Sequence, residues 1–193
     1  MEAQISHEMA RLMAKQKKIR KDTSKDEKFG KLVEKSYSSP HKVLLFGSSI
    51  IRNLGDVLRG TVYGNLGVGG DGVSDTFRRL NATPFEEKDR PHLQAILLHT
   101  GSNDASHCIH PQTVVDGILG CCDYIIKTNK SLTVVVSSLL PSVKSREIYS
   151  YCSLVGINDE NEMIKAVNDA LPTQSSGTQF LSCNFLFRKQ NIR

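Results

Sequence analysis

The chain has 193 residues, a formal net charge of +5 and 39% hydrophobic residues, which suits one domain with an appendage or a single large domain. The charge is local: residues 1–36 hold ten Lys/Arg against six Asp/Glu, so the remaining 157 residues are close to neutral and a uniformly basic domain is excluded. No segment approaches the roughly 18 apolar residues of a membrane-spanning helix, and the amino terminus has no apolar run of the signal type.

Residues 1–40 read as an appendage and residues 41–193 as a domain. The appendage is an exposed basic helix or a disordered tail. Ile5, Met9, Leu12, Gln16 and Ile19 alternate four and three apart, like a heptad seam, but two heptads are too few for a stable coiled coil. The run Lys15 to Lys21 is able to touch phosphates or a partner helix, or to serve as a solvated linker. Ser38, Ser39 and Pro40 mark the boundary.

The domain opens with KVLLFGSSIIRN, residues 42–53. Val43 to Phe46 has the length and β-branched character of a buried strand. Gly47 and two hydroxyls, Ser48 and Ser49, follow before the helical pattern of residues 50–58. Such a hydroxyl is either a helix cap or a group standing at the carboxyl edge of a sheet, facing the helix amides. Val62 and Tyr63 begin a second strand that ends in NLGVGGDG, residues 65–72. Four glycines in eight residues suit a loop whose amides approach a ligand closely. Their spacing fits neither a dinucleotide fingerprint nor a P-loop. Val73, Phe77 and Leu80 are expected to face one way on a helix.

Residues 93–98 (LQAILL) read as a third strand, ending at HTGSND, residues 99–104. Residues 113–126 form a helix with Val114, Ile118, Cys121, Cys122 and Ile125 inward. Residues 132–140 make the fourth strand, closed by Pro141, and residues 142–156 a loop. Residues 158–171 are a helix stopped by Pro172, and residues 178–181 the fifth strand. Strands alternating with helices imply a parallel sheet in a three-layer α/β/α sandwich. The five cysteines, Cys108, Cys121, Cys122, Cys152 and Cys183, have no metal-type spacing. Their odd number, with Cys121 and Cys122 in an apolar helical stretch, points to free thiols in a reducing, cytoplasmic setting.

Three glycine-centred turns, GSSI, GVGGDG and GSND, sit at successive strand ends. In that order and spacing they resemble the SGNH (GDSL-type) hydrolase superfamily over residues 42–187. Among its branches the chain looks most like the esterase domain of LINE-type retroelement proteins. A second likeness, through NLGVGGDGVSDTFRRL, is to platelet-activating-factor acetylhydrolase catalytic subunits. The resemblance implies a flavodoxin-like fold with a central, mainly parallel five-stranded sheet, and serine-based hydrolysis of a small ester or acetylated substrate without metal or organic cofactor. It assigns the nucleophile to Ser49, an oxyanion-binding amide to Gly70 and a second donor to the Asn103 side chain. Neutral donors of this kind meet charge on a carbonyl oxygen without reorganising.

Two features depart from the family pattern. Ser48 stands where many members have Asp. The family's base, a His in an Asp-x-x-His block after the fifth strand, has no counterpart, since no His follows His110. The resemblance therefore implies a C-terminally incomplete domain without its final helix, poor turnover and a tendency to self-associate. His107 and His110 lie on the correct edge of the sheet as substitutes, but a base must come within about 3 Å of the nucleophile. His99, on a buried strand, reads as a core histidine. The alternative is an inactive binding module whose basic helix contacts nucleic acid or a partner.

Overall fold

A run of β-branched residues and leucines cannot remain in water without cost, and three such runs, flanked by two less apolar strands, pair side by side in a computed structural model of the chain. Described are residues 2–37, 41–48, 50–51, 63–107, 109–142, 157, 159–174 and 179–181. The chain divides into two compact units, Met1–Ser38 and Ser39–Arg193. The first is a single helix, α1 (Glu2–Tyr37). At about 1.5 Å per residue it is roughly 54 Å long.

In the second unit the strands are β1 (Val43–Gly47), β2 (Tyr63–Gly67), β3 (Ala95–His99), β4 (Thr133–Ser137) and β5 (Gln179–Leu181). They lie in the order β2-β1-β3-β4-β5, and every pairing is parallel. This is the doubly wound order in which the chain reverses between β1 and β3, the place where open α/β sheets bind ligands. The expected five-stranded parallel sheet is therefore observed.

Between the strands run α2 (Val73–Asn81), the short α3 (Ser102–Ser106), α4 (Pro111–Thr128) and α5 (Glu160–Gln174). Helix α4 packs between α2 and α5. Gly117 lets α2 approach closely: a Cβ there would lie 2.5 Å from Val73 Cγ1. Leu44, Phe46, Ile96, Leu98, Val134 and Val136 alternate along the strands and are all buried, as period-two geometry requires. Phe46 meets Phe85 edge to face, with centroids 6.0 Å apart. Cys121 and Cys122 are buried free thiols, and burial pushes Cys121 up to about 12.

Side-chain amides hold the connections. Asn168 Nδ2 donates to Leu139 O (2.9 Å) while its Oδ1 accepts from Leu139 N (2.7 Å). Asn161 does the same for the amide and carbonyl of Ser142. These two asparagines, seven apart on α5, satisfy the extended chain beyond β4, where no further strand supplies partners.

Two expectations differ. Phe77 is 40% exposed, while Thr76 and Arg79 of the same helix are buried. The inward face of α2 combines the apolar Val73 and Leu80 with Thr76 and Arg79, which have polar partners at the sheet edge. Pro172 lies inside α5 instead of ending it. In the last turn its missing N–H costs a single intrahelical bond, and the helix runs two residues further. The expected helix over 50–58 is described only at Ile50 and Ile51, and the loop over 142–156 lies almost wholly outside the described residues. No described helix is long and apolar enough to cross a membrane.

Candidate functional site

The three glycine turns leave the sheet at neighbouring strand ends, because β1 lies between β2 and β3. At the end of β1, Gly47 has φ +135° and abuts β3; a Cβ would lie 1.9 Å from His99 O. Only glycine tolerates both the conformation and the contact. Beyond it, Ser48 N donates to His99 O (3.0 Å), and Gly47 O accepts from Val68 N (2.8 Å). The end of β1 is thus clamped from both sides. Ser48 is buried, and its Oγ has no hydrogen-bond partner among the described residues. Ser49, the nucleophile expected from sequence, lies outside the described residues.

The loop after β2 carries Gly70, which is exposed and has φ +79°. The next residue, Asp71, is buried, and its carboxylate pairs with Arg79 of α2, also buried. Its carbonyl accepts from Asn103 Nδ2 at 2.7 Å. Asn103 is thereby bonded to the residue that follows Gly70. An Asn amide has two hydrogens; this bond uses one of them.

Two more bonds join the same loops. Asp104 Oδ2 accepts from Val73 N at 2.9 Å. Gly72, at the start of α2, has no side chain to cap the helix, and Asp104 supplies the cap from the neighbouring loop. The fit needs that glycine, since a Cβ on it would lie 2.8 Å from Asp104 Oδ1. Partial burial raises Asp104 above the usual carboxylate range, against the lowering effect of its backbone hydrogen bonds. Behind them Thr76 Oγ1 and Thr100 Oγ1 share a buried bond of 2.8 Å. None of Asp71, Thr76, Arg79, Thr100 or Asp104 was singled out from sequence. The only signal is an acidic residue inside the second and third glycine turns, Asp71 and Asp104.

Three histidines near the turns, His99, His107 and His110, are engaged. His99 is buried, with Nδ1 2.6 Å from Ser137 Oγ and Nε2 3.4 Å from Ser102 Oγ. Burial lowers it to about 4, so it is neutral near pH 7. It is the core histidine that the sequence suggested. His107 is exposed, and its Nδ1 donates to Asn103 O. His110 Nδ1 accepts from Gln112 N at 3.2 Å and caps α4, with Pro111 at the first helical position. Among the described residues no cluster of His, Cys, Asp and Glu is suited to hold a metal ion.

No family model matches the chain, and no curated protein does. Solved structures do. A protein from Streptococcus pneumonia named for platelet activating factor is 17% identical and covers 88% of this chain and 81% of its own, with a TM-score of 0.62. A GDSL-like lipase from Bacteroides thetaiotaomicron is 16% identical, with 74% and 68% covered and a TM-score of 0.55. AlinE4, an SGNH-hydrolase family esterase, is 13% identical, with 72% and 74% covered and a TM-score of 0.52. What this chain shares with them at such identities is the fold.

Proposed function

We propose that this chain, which has the SGNH (GDSL-type) hydrolase fold, is a serine ester hydrolase by construction, acting on a small ester or acetylated substrate with weak turnover. The observation that carries the reading is the bond from Asn103 Nδ2 to Asp71 O, which gathers the second and third glycine turns beside the end of β1. In this reading Ser49 Oγ attacks the ester carbonyl. The negative charge that builds on the carbonyl oxygen is met by the Gly70 N–H and by the second Asn103 amide hydrogen. The alcohol leaves, and water then releases the acyl group. No Asp-x-x-His follows the fifth strand within residues 1–193; the one such run, Asp104 to His107, has its imidazole exposed and bonded to Asn103 O, and His110 is a helix cap. Without a base the hydroxyl proton is removed only slowly.

The test is acetylation of the full chain by p-nitrophenyl acetate, read by intact mass and peptide mapping beside Ser49→Ala. Slow, selective acetylation of Ser49 is expected. Labelling of surface lysines with none at Ser49 sinks the esterase reading. Fast hydrolysis abolished by Ser49→Ala would instead retain the reaction and remove the claim of weak turnover.

A second reading is favoured by α1, a continuous helix that carries ten of the 25 basic residues. Here the α/β unit is a scaffold, and the helix binds single-stranded RNA through its phosphates. Affinity should fall steeply with salt and vanish on deletion of residues 1–36; absence of binding at low salt removes the reading. The buried free thiols Cys121 and Cys122 suit a cytoplasmic, reducing setting.

A further inference from the structure

We propose that Arg79 is a positioning residue for the oxyanion-binding donors and acts on them through Asp71; the assignment rests on the esterase reading above. The loop after β2 contains Gly67, Gly69, Gly70 and Gly72. Glycine imposes no conformation of its own, so something else must choose one. Asp71, between the last two glycines, is 1% exposed, and Arg79 is 3% exposed. They form an ion pair eight residues apart, joining the loop to the last turn of α2. A buried ion pair contributes little net stability compared with an apolar pair, and its best-attested use is to select one arrangement. The arrangement selected here has a visible consequence. With its carboxylate held by Arg79, Asp71 presents its carbonyl to Asn103 Nδ2 at 2.7 Å.

That bond takes one hydrogen of the Asn103 amide and fixes the plane of the group. The direction of the second hydrogen is then determined. The same pair fixes the peptide that follows Gly70, whose φ of +79° places its own N–H. Arg79 therefore reaches both donors without touching a substrate. A guanidinium holds a carboxylate with more geometric definition than an ammonium does. The Thr76–Thr100 and Val73–Asp104 bonds fasten the same two loops, so loss of Arg79 loosens the donors without separating the loops.

The test uses isotopically labelled full-length protein, Arg79→Lys, and the neutral pair Asp71→Asn/Arg79→Gln. The first readout is solvent exchange of the Asn103 side-chain amide, measured against core backbone amides of the same sample. The second is affinity for phenylboronic acid, a mimic of the tetrahedral oxyanion. In the neutral pair, exchange should quicken and boronate affinity fall by at least about tenfold; Arg79→Lys should recover part of both. A purely structural role would lower the melting temperature and leave the normalised exchange unchanged, and that result overturns the proposal. If the neutral pair does not fold, Asp71→Asn, which keeps shape and an acceptor oxygen, carries the same comparison. Wild-type protein that binds no boronate, with exchange still governed by Arg79, would sink the esterase reading and leave the positioning role standing. Boronate binding with exchange indifferent to Arg79 would do the reverse.

Discussion

The end of β1 and the paired ends of β2 and β3 solve one problem with different means. The β2 and β3 turns are tied to each other by side chains: Asn103 to Asp71, Asp104 to Val73, Thr76 to Thr100. The described end of β1 is held mainly by backbone, through Ser48 N to His99 O and Val68 N to Gly47 O, with one side-chain bond, Asn65 Nδ2 to Ile51 O at 2.8 Å, while the Ser48 hydroxyl has no partner among the described residues. The β2 and β3 turns are cross-linked to each other several times over. The β1 turn is placed by sheet register, one obligatory glycine and a single side-chain bond from β2. Disturbing each in turn should therefore produce different kinds of damage.

The largest effect is expected at Gly47. In Gly47→Ala the new Cβ would meet His99 O at 1.9 Å, on a backbone with φ +135°. Since no flexible side chain can yield, β1 and β3 must separate. A loss of about 4 kcal/mol or more is expected in chemical denaturation. A loss below about 1 kcal/mol would mean that the β1 clamp is not as close as described.

Next comes acid. Burial lowers His99 from 6.5 to about 4. A group whose folded value is depressed contributes stability that is fully present above its unfolded value and is lost as pH falls through the folded value. Between pH 6.5 and about 4 the protein should lose stability amounting to roughly 3 kcal/mol from this group. His99→Gln should flatten that part of the profile. A wild-type profile as flat as the variant's would show that His99 is open to water.

These two expectations draw on features of unequal visibility in the sequence. Gly47 and His99 stand at the ends of β-branched or leucine-rich runs, so local pattern alone puts them at strand termini. Gly70 and Asn103 stand in glycine turns that local pattern puts at strand ends, but only the resemblance of those turns, in their order, to a hydrolase family gives either a role. Arg79 and Phe77 were not legible. Helical periodicity sorts residues by hydropathy and sends Phe77 inward and Arg79 outward, yet Phe77 is exposed against Tyr124 and Arg79 is buried. The inversion depends on the Asp71 carboxylate, which reaches α2 only once the loop has folded back. Thr76 and Thr100 are 24 residues apart, and nothing local marks either. Pro172 reads as a stop because its cost is counted without the helix already in place around it. The sequence pattern thus locates turns, while the contacts between turns belong to the tertiary fold.

A smaller effect is expected at the buried hydroxyl pair. Thr76→Val leaves Thr100 Oγ1 without this partner, and a loss of about 1–2 kcal/mol should follow. The double variant Thr76→Val/Thr100→Val removes both polar groups and should recover much of it, because the cost lies in an unsatisfied hydroxyl rather than in the bond lost. Additive losses in the two single variants and the double would show that the bond is not formed.

The smallest effect has the opposite sign and sharpens the comparison most. Asp104 caps α2 from the neighbouring loop, and burial raises it above its ordinary value of 3.8. A carboxyl with a raised folded value contributes stability that is fully present below the unfolded value and is lost as pH rises through the folded one. At neutral pH the charged cap is therefore held at some expense, although its oxygen still accepts from Val73 N. Asn offers an oxygen of the same shape and no charge to bury. Asp104→Asn should match or slightly exceed wild-type stability near pH 7, by less than about 1 kcal/mol, and the gain should shrink as pH falls toward 3.8. His99 and Asp104 thus pull stability in opposite directions across the acid range, one from the core beneath the turns and one from the bond between them. A destabilised Asp104→Asn would mean that the negative charge at the start of α2 outweighs its desolvation, making the cross-link between the turns electrostatic rather than a matter of shape.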